Sequence, residues 1–169
     1  MRVLPGRSTA WFSRLDSRTV TILLYAIAAM ALFLIFSLGI VAWQGAVAIR
    51  RFRRQYGREG KDLLLVYSNS PHWQHYVESE WLPRWGERAV VVNWSERSRW
   101  SGDEPEIVLF RSIAGSRAYN PIAVVVPPKG PVRVVRFWRA FRDKKHGKHG
   151  PLEHKEHELQ WALDQAASA

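Results

Sequence analysis

The sequence predicts a single N-terminal transmembrane helix followed by a small α/β domain with element order β-α-β-α-β-β-α. Three observations carry this expectation: one long uncharged stretch near the N-terminus, short apolar strands alternating with helix-period segments after it, and no cysteine anywhere. A chain of 169 residues has room for one compact domain and an appendage, not for two large domains. Without a cysteine thiol there is no disulfide scaffold, no thiolate zinc site and no catalysis by a thiol of the protein's own. The mean hydropathy of −0.24 averages two unlike parts, an apolar stretch and a strongly charged remainder.

From Thr19 to Ile49 no side chain is charged, and in Val20 to Ala42 only Thr21, Tyr25 and Ser37 carry polar side-chain atoms. At a rise of about 1.5 Å per residue this apolar core reaches roughly 35 Å, enough to cross a hydrocarbon layer of about 30 Å once. Trp43 after the core, and Trp11 and Phe12 before it, suit the headgroup region. A secretory signal has a shorter apolar core, of about 7 to 15 residues. A buried helix of a soluble protein would have to hide apolar side chains on every face. The chain therefore divides into a basic tail (1–18), a transmembrane helix (19–49), a basic juxtamembrane hinge (50–61) and a soluble domain (62–169) with a His-rich C-terminal part.

Flanking charge sets the expected orientation. Arg2, Arg7, Arg14 and Arg18 precede the span; Arg50, Arg51, Arg53, Arg54, Arg58 and Lys61 follow it, a small excess that favours a cytoplasmic domain, with a periplasmic or extracellular domain as the alternative. Arg50, Arg51, Arg53 and Arg54 surround Phe52, and near a membrane such residues attract anionic lipid by about 1 kcal/mol each. The same arginines also read as a topology signal alone. Gly57 and Gly60 then break the helix.

In the domain, Asp62 to Ser68 is too continuously apolar for a strand with one wet face and reads as central. Asn69 to His72 forms a turn in which Ser70 caps a helix with Pro71 in its first turn. Trp73, Val77, Trp81 and Trp85 recur at helical spacing, and Pro83 and Gly86 supply the stop. Arg88 to Trp94 is a second buried-type strand, and the strand-helix-strand order makes the pair parallel. Ser95 to Pro105 reads as a polar loop; Glu106 to Ala114 fits a strand or a helix, and the spacing of Ile107, Phe110 and Ile113 with Gly115 as a stop favours the helix. Ile122 to Val126 and Val132 to Phe137 form an antiparallel hairpin across a Pro/Gly-rich connection. Trp138 to Arg142 begins a helix, Asp143 to Pro151 is a loop by composition, and Leu152 to Ala166 is the terminal helix.

This order, with Pro121 just before the third strand, resembles the thioredoxin-like fold over Lys61 to Ala169. The redox motif of that family places two cysteines at the start of the first helix, which corresponds to Asn69 to Gln74 here. No cysteine stands there, so the resemblance implies a non-redox member, and a fold does not carry a function over.

Several residue groups are candidate sites. Ser70 and His72, with Ser68 and Asn69, lie where free N–H groups at a helix start favour an anion, although capping by Ser70 explains the same pattern. Arg97 and Arg99 join Arg50, Arg51, Arg53 and Arg54 as anion or lipid contacts. His72, His75 and Glu78 share a helix-face spacing, and His146, His149, His154 and His157 form a denser group with metal-binding character, but a solvated basic tail accounts for the latter. No cofactor is implied. Trp100, in a polar loop, is harder to bury than the other tryptophans and reads as a contact for a partner or membrane surface.

From Arg50 onward 21 basic residues face 14 acidic ones, a net +7. The leading expectation is a membrane-tethered interaction module whose partners are the bilayer and anionic lipid headgroups or an acidic protein. The alternative is a tethered enzyme acting on an anionic or lipid-linked substrate, using Ser70 and His72 with Arg97 or Arg99 as an anion clamp. Nucleic-acid binding ranks below both, because no recognition module accompanies the charge.

Overall fold

The computed structural model describes residues 17–114 and 119–168. Arg2, Arg7, Trp11, Phe12, Arg14 and Gly115 lie outside the described residues. The chain divides into two units, 1–42 and 43–169.

In the first unit, the residues from Ser17 on belong to α1 (Ser17–Tyr56), the one described helix long and apolar enough to cross a membrane. Its large apolar side chains, such as Leu24, Phe33 and Leu38, are exposed. Thr21 and Ser37 donate their hydroxyls to the carbonyls of Ser17 (2.9 Å) and Phe33 (2.7 Å), four residues back. Both polar groups are thus satisfied inside the helix itself.

The second unit is built on a mixed four-stranded sheet of order β2-β1-β3-β4. β1 (Leu63–Tyr67) pairs parallel with β2 (Ala89–Asn93) and antiparallel with β3 (Ile122–Val125), which pairs antiparallel with β4 (Arg133–Arg136). The expected parallel pair, central first strand and hairpin are all present. β2 departs from expectation: it is an edge strand, not a buried one, and Val91 is 42% exposed. An apolar run cannot distinguish a strand with two neighbours from one with a single neighbour.

Side-chain alternation splits the core into two layers. Leu63, Leu65, Ala123, Val125 and Val135 face one way and pack with Val77, Trp81, Phe137, Phe141, Leu159 and Leu163. Leu64, Val66, Ile122 and Val124 face the other way and pack with Ile107, Phe110, Ala48 and Phe52. Ala48 and Phe52 lie on α1, so residues 43–56 of that helix belong to the domain. β4 alternates as expected, with Val135 inward on the first layer and Val132 and Val134 packed against the second.

The helical segment after β1 begins later than expected, at Gln74, not Pro71. It comprises α2 (Gln74–Tyr76), a π-helical turn (Val77–Trp81) and α3 (Leu82–Trp85). A repeat of four residues drifts by about 40° per step on a 3.6-residue helix. The wider π turn offsets that drift and keeps Val77, Trp81 and Trp85 buried. Pro83 does not stop the helix but sits in the first turn of α3. The Leu82 N–H bonds the Val77 carbonyl five residues back, and this widened turn accommodates a residue with no N–H to donate.

A 3₁₀ turn (Trp94–Arg99) occupies part of the expected polar loop, and α4 (Pro105–Ala114) is the expected helix. The Asn120–Pro121 peptide is cis. α5 (Trp138–Lys145) and α6 (Gly150–Ala167) are longer than expected, and the loop between them is correspondingly shorter. Pro151 falls in the first turn of α6, where its missing N–H has no cost, and Gly147 at φ 78 turns the chain between the helices.

Candidate functional site

The basic run stands on the last turns of α1. Ala48 and Phe52, four residues apart, face inward, and Tyr56 continues that row by donating its hydroxyl to Glu106 (2.6 Å). Ile49 flanks that row and packs partly against the same core, while other positions on these turns face away from it. Arg50, Arg51 and Arg54 are exposed. Arg53 is half-buried: its Nη2 donates to the Gly130 carbonyl (2.6 Å) on the β3–β4 connection, and its Nε is buried without a partner.

The chain reverses through a 3₁₀ turn (Gly57–Glu59) and Gly60, whose φ of 73 is left-handed and suits a residue without Cβ. This reversal brings Arg58 and Lys61 beside Arg53 and Arg54 around a cleft of about 440 Å³, whose apolar side is Val126 and Pro128. Lys61 pairs with Glu59 at 3.3 Å, and Asp62, also at the cleft, is held by Arg88. Arg51 instead lines a neighbouring depression with Ser101 and Asp103. The Ser101 hydroxyl bonds the Asp103 carboxylate and holds its pKa below the ordinary value, with the Arg51 charge adding in the same direction.

Ser70 and His72 lie at the carboxyl end of β1, where the turns after the two parallel strands are tied together. Asn93 donates its side-chain amide to Asn69 Oδ1 (2.6 Å), the Asn69 N–H donates to Ser95 Oγ (3.0 Å), and the Ser95 N–H donates to Asn93 Oδ1 (2.9 Å). Trp73 Nε1 donates to Ser68 Oγ (3.2 Å), and the Ser70 carbonyl accepts from the N–H groups of Trp73 and Gln74. Ser70 Oγ accepts the His72 backbone N–H at 3.4 Å, a long local bond in the turn rather than a cap on α2. Among the described residues no hydrogen bond joins the His72 imidazole to the Ser70 hydroxyl.

Arg97 lies over the Trp94 ring at 5.4 Å, and Arg99 is exposed on the same 3₁₀ turn. Trp100 is docked, contrary to expectation, edge-on to Trp94 (5.4 Å) and Phe110 (5.9 Å). A polar loop sequence does not reveal that its tryptophan reaches back to α4. His146, His149, His154 and His157 are all exposed, and among the described residues no group of three His, Cys, Asp or Glu side chains is placed to hold a metal ion. Glu78 is engaged elsewhere, accepting from the Tyr67 hydroxyl and the Gln74 amide, both at 3.1 Å.

Two polar residues of α6 had no signal in the sequence. Glu156 accepts from Trp81 Nε1 (2.7 Å) and the Tyr76 hydroxyl (2.9 Å), and Gln160 accepts from Trp85 Nε1 (3.0 Å). Burial raises the pKa of Tyr76, with the Glu156 hydrogen bond adding; burial and then Glu78 do the same for Tyr67. These contacts are structural, binding α6 to the helical segment after β1. Comparison of the chain with family models, curated proteins and solved structures found no match.

Proposed function

We propose that this chain is a single-pass membrane protein that presents a cysteine-free, thioredoxin-like interaction domain to an anionic membrane surface on the cytoplasmic side. The observation that carries this reading is the division of labour on the last turns of α1. Ala48 and Phe52 are buried in the domain, whereas Arg50, Arg51 and Arg54, on the same turns, point to solvent. With Trp43 in the headgroup region, Arg50 to Arg54 lie roughly 10 to 16 Å further along the helix axis. Long arginine side chains reach back from there into the attractive field of anionic lipid, which extends about one Debye length, or 8 Å.

The strand order, the parallel β1–β2 pair and the antiparallel β3–β4 hairpin support the thioredoxin-like reading, as does Pro121 directly before β3. The register Val66↔Ile122, carried one step on, sets Pro121 level with Tyr67, at the sheet end that bears the Ser68–Ser70 turn. Without cysteine, that end is free for recognition and not for thiol exchange.

The absence of native thiols makes the test direct. A single cysteine replacing the exposed Ser101 is expected to react with a membrane-impermeant maleimide only after cell lysis; labelling of intact cells overturns the cytoplasmic assignment. For the surface contact, a polarity-sensitive dye is placed on a cysteine at the exposed Gln55 of the full chain in vesicles. Its emission is expected to shift in anionic but not neutral vesicles, and to revert at high salt; equal emission in both removes the lipid contact.

A further inference from the structure

We propose that the cleft between the end of α1 and the start of β1 is a binding site for a phosphomonoester carried on a sugar-sized polar group. The inference deepens the membrane-surface reading above and rests on it for the source of the ligand. Arg53, Arg54, Arg58 and Lys61 converge on this cleft from two segments that only the reversal at Gly57–Gly60 brings together. Asp62 is engaged by two bonds from Arg88, and Glu59 offsets the charge of Lys61 at 3.3 Å, which leaves Arg53, Arg54 and Arg58 as the cleft cations with no ion pair among the described residues. Arg53 is held in place at the cleft wall by the bond from its Nη2 to the Gly130 carbonyl, which fixes the position of its charge before a ligand arrives.

The charge and the size of the cleft select the ligand. Several guanidinium forks match the three oxygens and near-double charge of a phosphomonoester better than a phosphodiester, which offers one charge and two free oxygens. The volume, about 440 Å³, lies in the range of small-molecule sites and accommodates a sugar ring along Val126 and Pro128.

Reach narrows the choice further. Arg54 lies eleven residues past Trp43, roughly 16 Å along the helix. The polar layer of a bilayer extends only about 5 to 8 Å beyond the hydrocarbon on each side. A phosphate attached directly to a lipid glycerol falls short of the cleft, while one on the far side of a sugar-like headgroup spans the gap. A soluble sugar phosphate has the same chemistry.

The test uses the full chain in phosphatidylcholine nanodiscs, with retained lipid counted by native mass spectrometry. Phosphatidylinositol 4-phosphate at low mole fraction is compared with phosphatidylglycerol at equal total charge, and soluble glucose 6-phosphate is titrated against neutral nanodiscs. The expected result is one phosphoinositide per chain, favoured over phosphatidylglycerol by about tenfold or more. R54Q/R58Q should abolish the preference and R50Q/R51Q should keep it, with thermal melts confirming that both variants fold. Equal retention of the two lipids, or equal loss in the two variants, overturns the site and leaves a diffuse surface attraction standing. Saturable glucose 6-phosphate binding that is lost in R54Q/R58Q, without phosphoinositide retention, supports the site and removes the membrane surface as its source. No binding in any arm overturns both readings.

Discussion

Arg88 grips Asp62 with two hydrogen bonds, Nε to Oδ1 at 3.0 Å and Nη2 to Oδ2 at 2.5 Å, and the same Nη2 reaches the Leu163 carbonyl at 3.0 Å. One side chain thereby joins the entry to β1, the entry to β2 and α6. Asp62 also closes the ladder through its backbone: its N–H donates to the Arg88 carbonyl and its carbonyl accepts from Val126. Both side chains are partly shielded from water, which raises the value of the pair above that of an open surface ion pair. Arg88→Ala is expected to cost about 1 to 2 kcal/mol, read as a lower urea midpoint at unchanged slope. A midpoint equal to that of the parent would show that the pair contributes nothing net.

Glu156 satisfies the indole N–H of Trp81, which is 1% exposed. Glu156→Ala leaves that donor buried without a partner, and a loss of about 1 to 3 kcal/mol is expected. Glu156→Gln keeps an acceptor in reach and should recover most of it. Equal destabilisation by the two substitutions would point to carboxylate charge, not the hydrogen bond, as the source of the effect.

Stability should fall at alkaline pH. Tyr67 and Tyr76 hold their protons to higher pH in the folded chain than in the unfolded one, first through burial and then through Glu78 and Glu156. The folded state therefore binds more protons above the ordinary tyrosine pKa of about 10, and unfolding becomes easier as pH rises through that region. Below it this contribution is intact. In denaturant titrations across pH 9 to 11, Tyr76→Phe should flatten the decline even while lowering the baseline by loss of its bond to Glu156; an unaltered slope counts against the tyrosine as the titrating group.

Phe52 ties the end of α1 into the core. Phe52→Ala should cost about 3 to 5 kcal/mol, the range for a buried phenylalanine, while Arg51→Ala at the adjacent exposed position should change the melting of the full chain little. A fragment of residues 43–169 is expected to be monomeric and to melt cooperatively. A fragment of 57–169 would expose Leu64, Val124 and Ile107 where Ala48 and Phe52 had packed, and should aggregate. Equal solubility of the two would assign α1 no part in the core.

The chemical character of each segment was legible because it depends on near neighbours in the chain. The uncharged run from Thr19 to Ile49 sets out one long apolar helix, and the apolar runs around Leu65, Val91 and Val124 set out strands. The turn chemistry between Val126 and Val132 specified the hairpin for the same reason. Less was legible of the candidate site. Arg53 and Arg54 stand out in the sequence as charge beside an apolar stretch, but nothing local says that the chain doubles back at Gly60 to place Arg58 and Lys61 around a shared cleft.

By itself, then, the sequence determined an apolar helix, an α/β order and a basic surface, since hydrophobic periodicity and charge are properties of each segment alone. Tertiary structure decided which of these meet. It made β2 an edge, buried Phe52 on a helix that reads as a membrane span, drew Trp100 back onto Phe110, and separated Arg51, beside Asp103, from Arg53, beside Gly130. Each outcome depends on packing between residues distant in the chain, where burial and hydrogen bonding are shared by partners that no local pattern brings together.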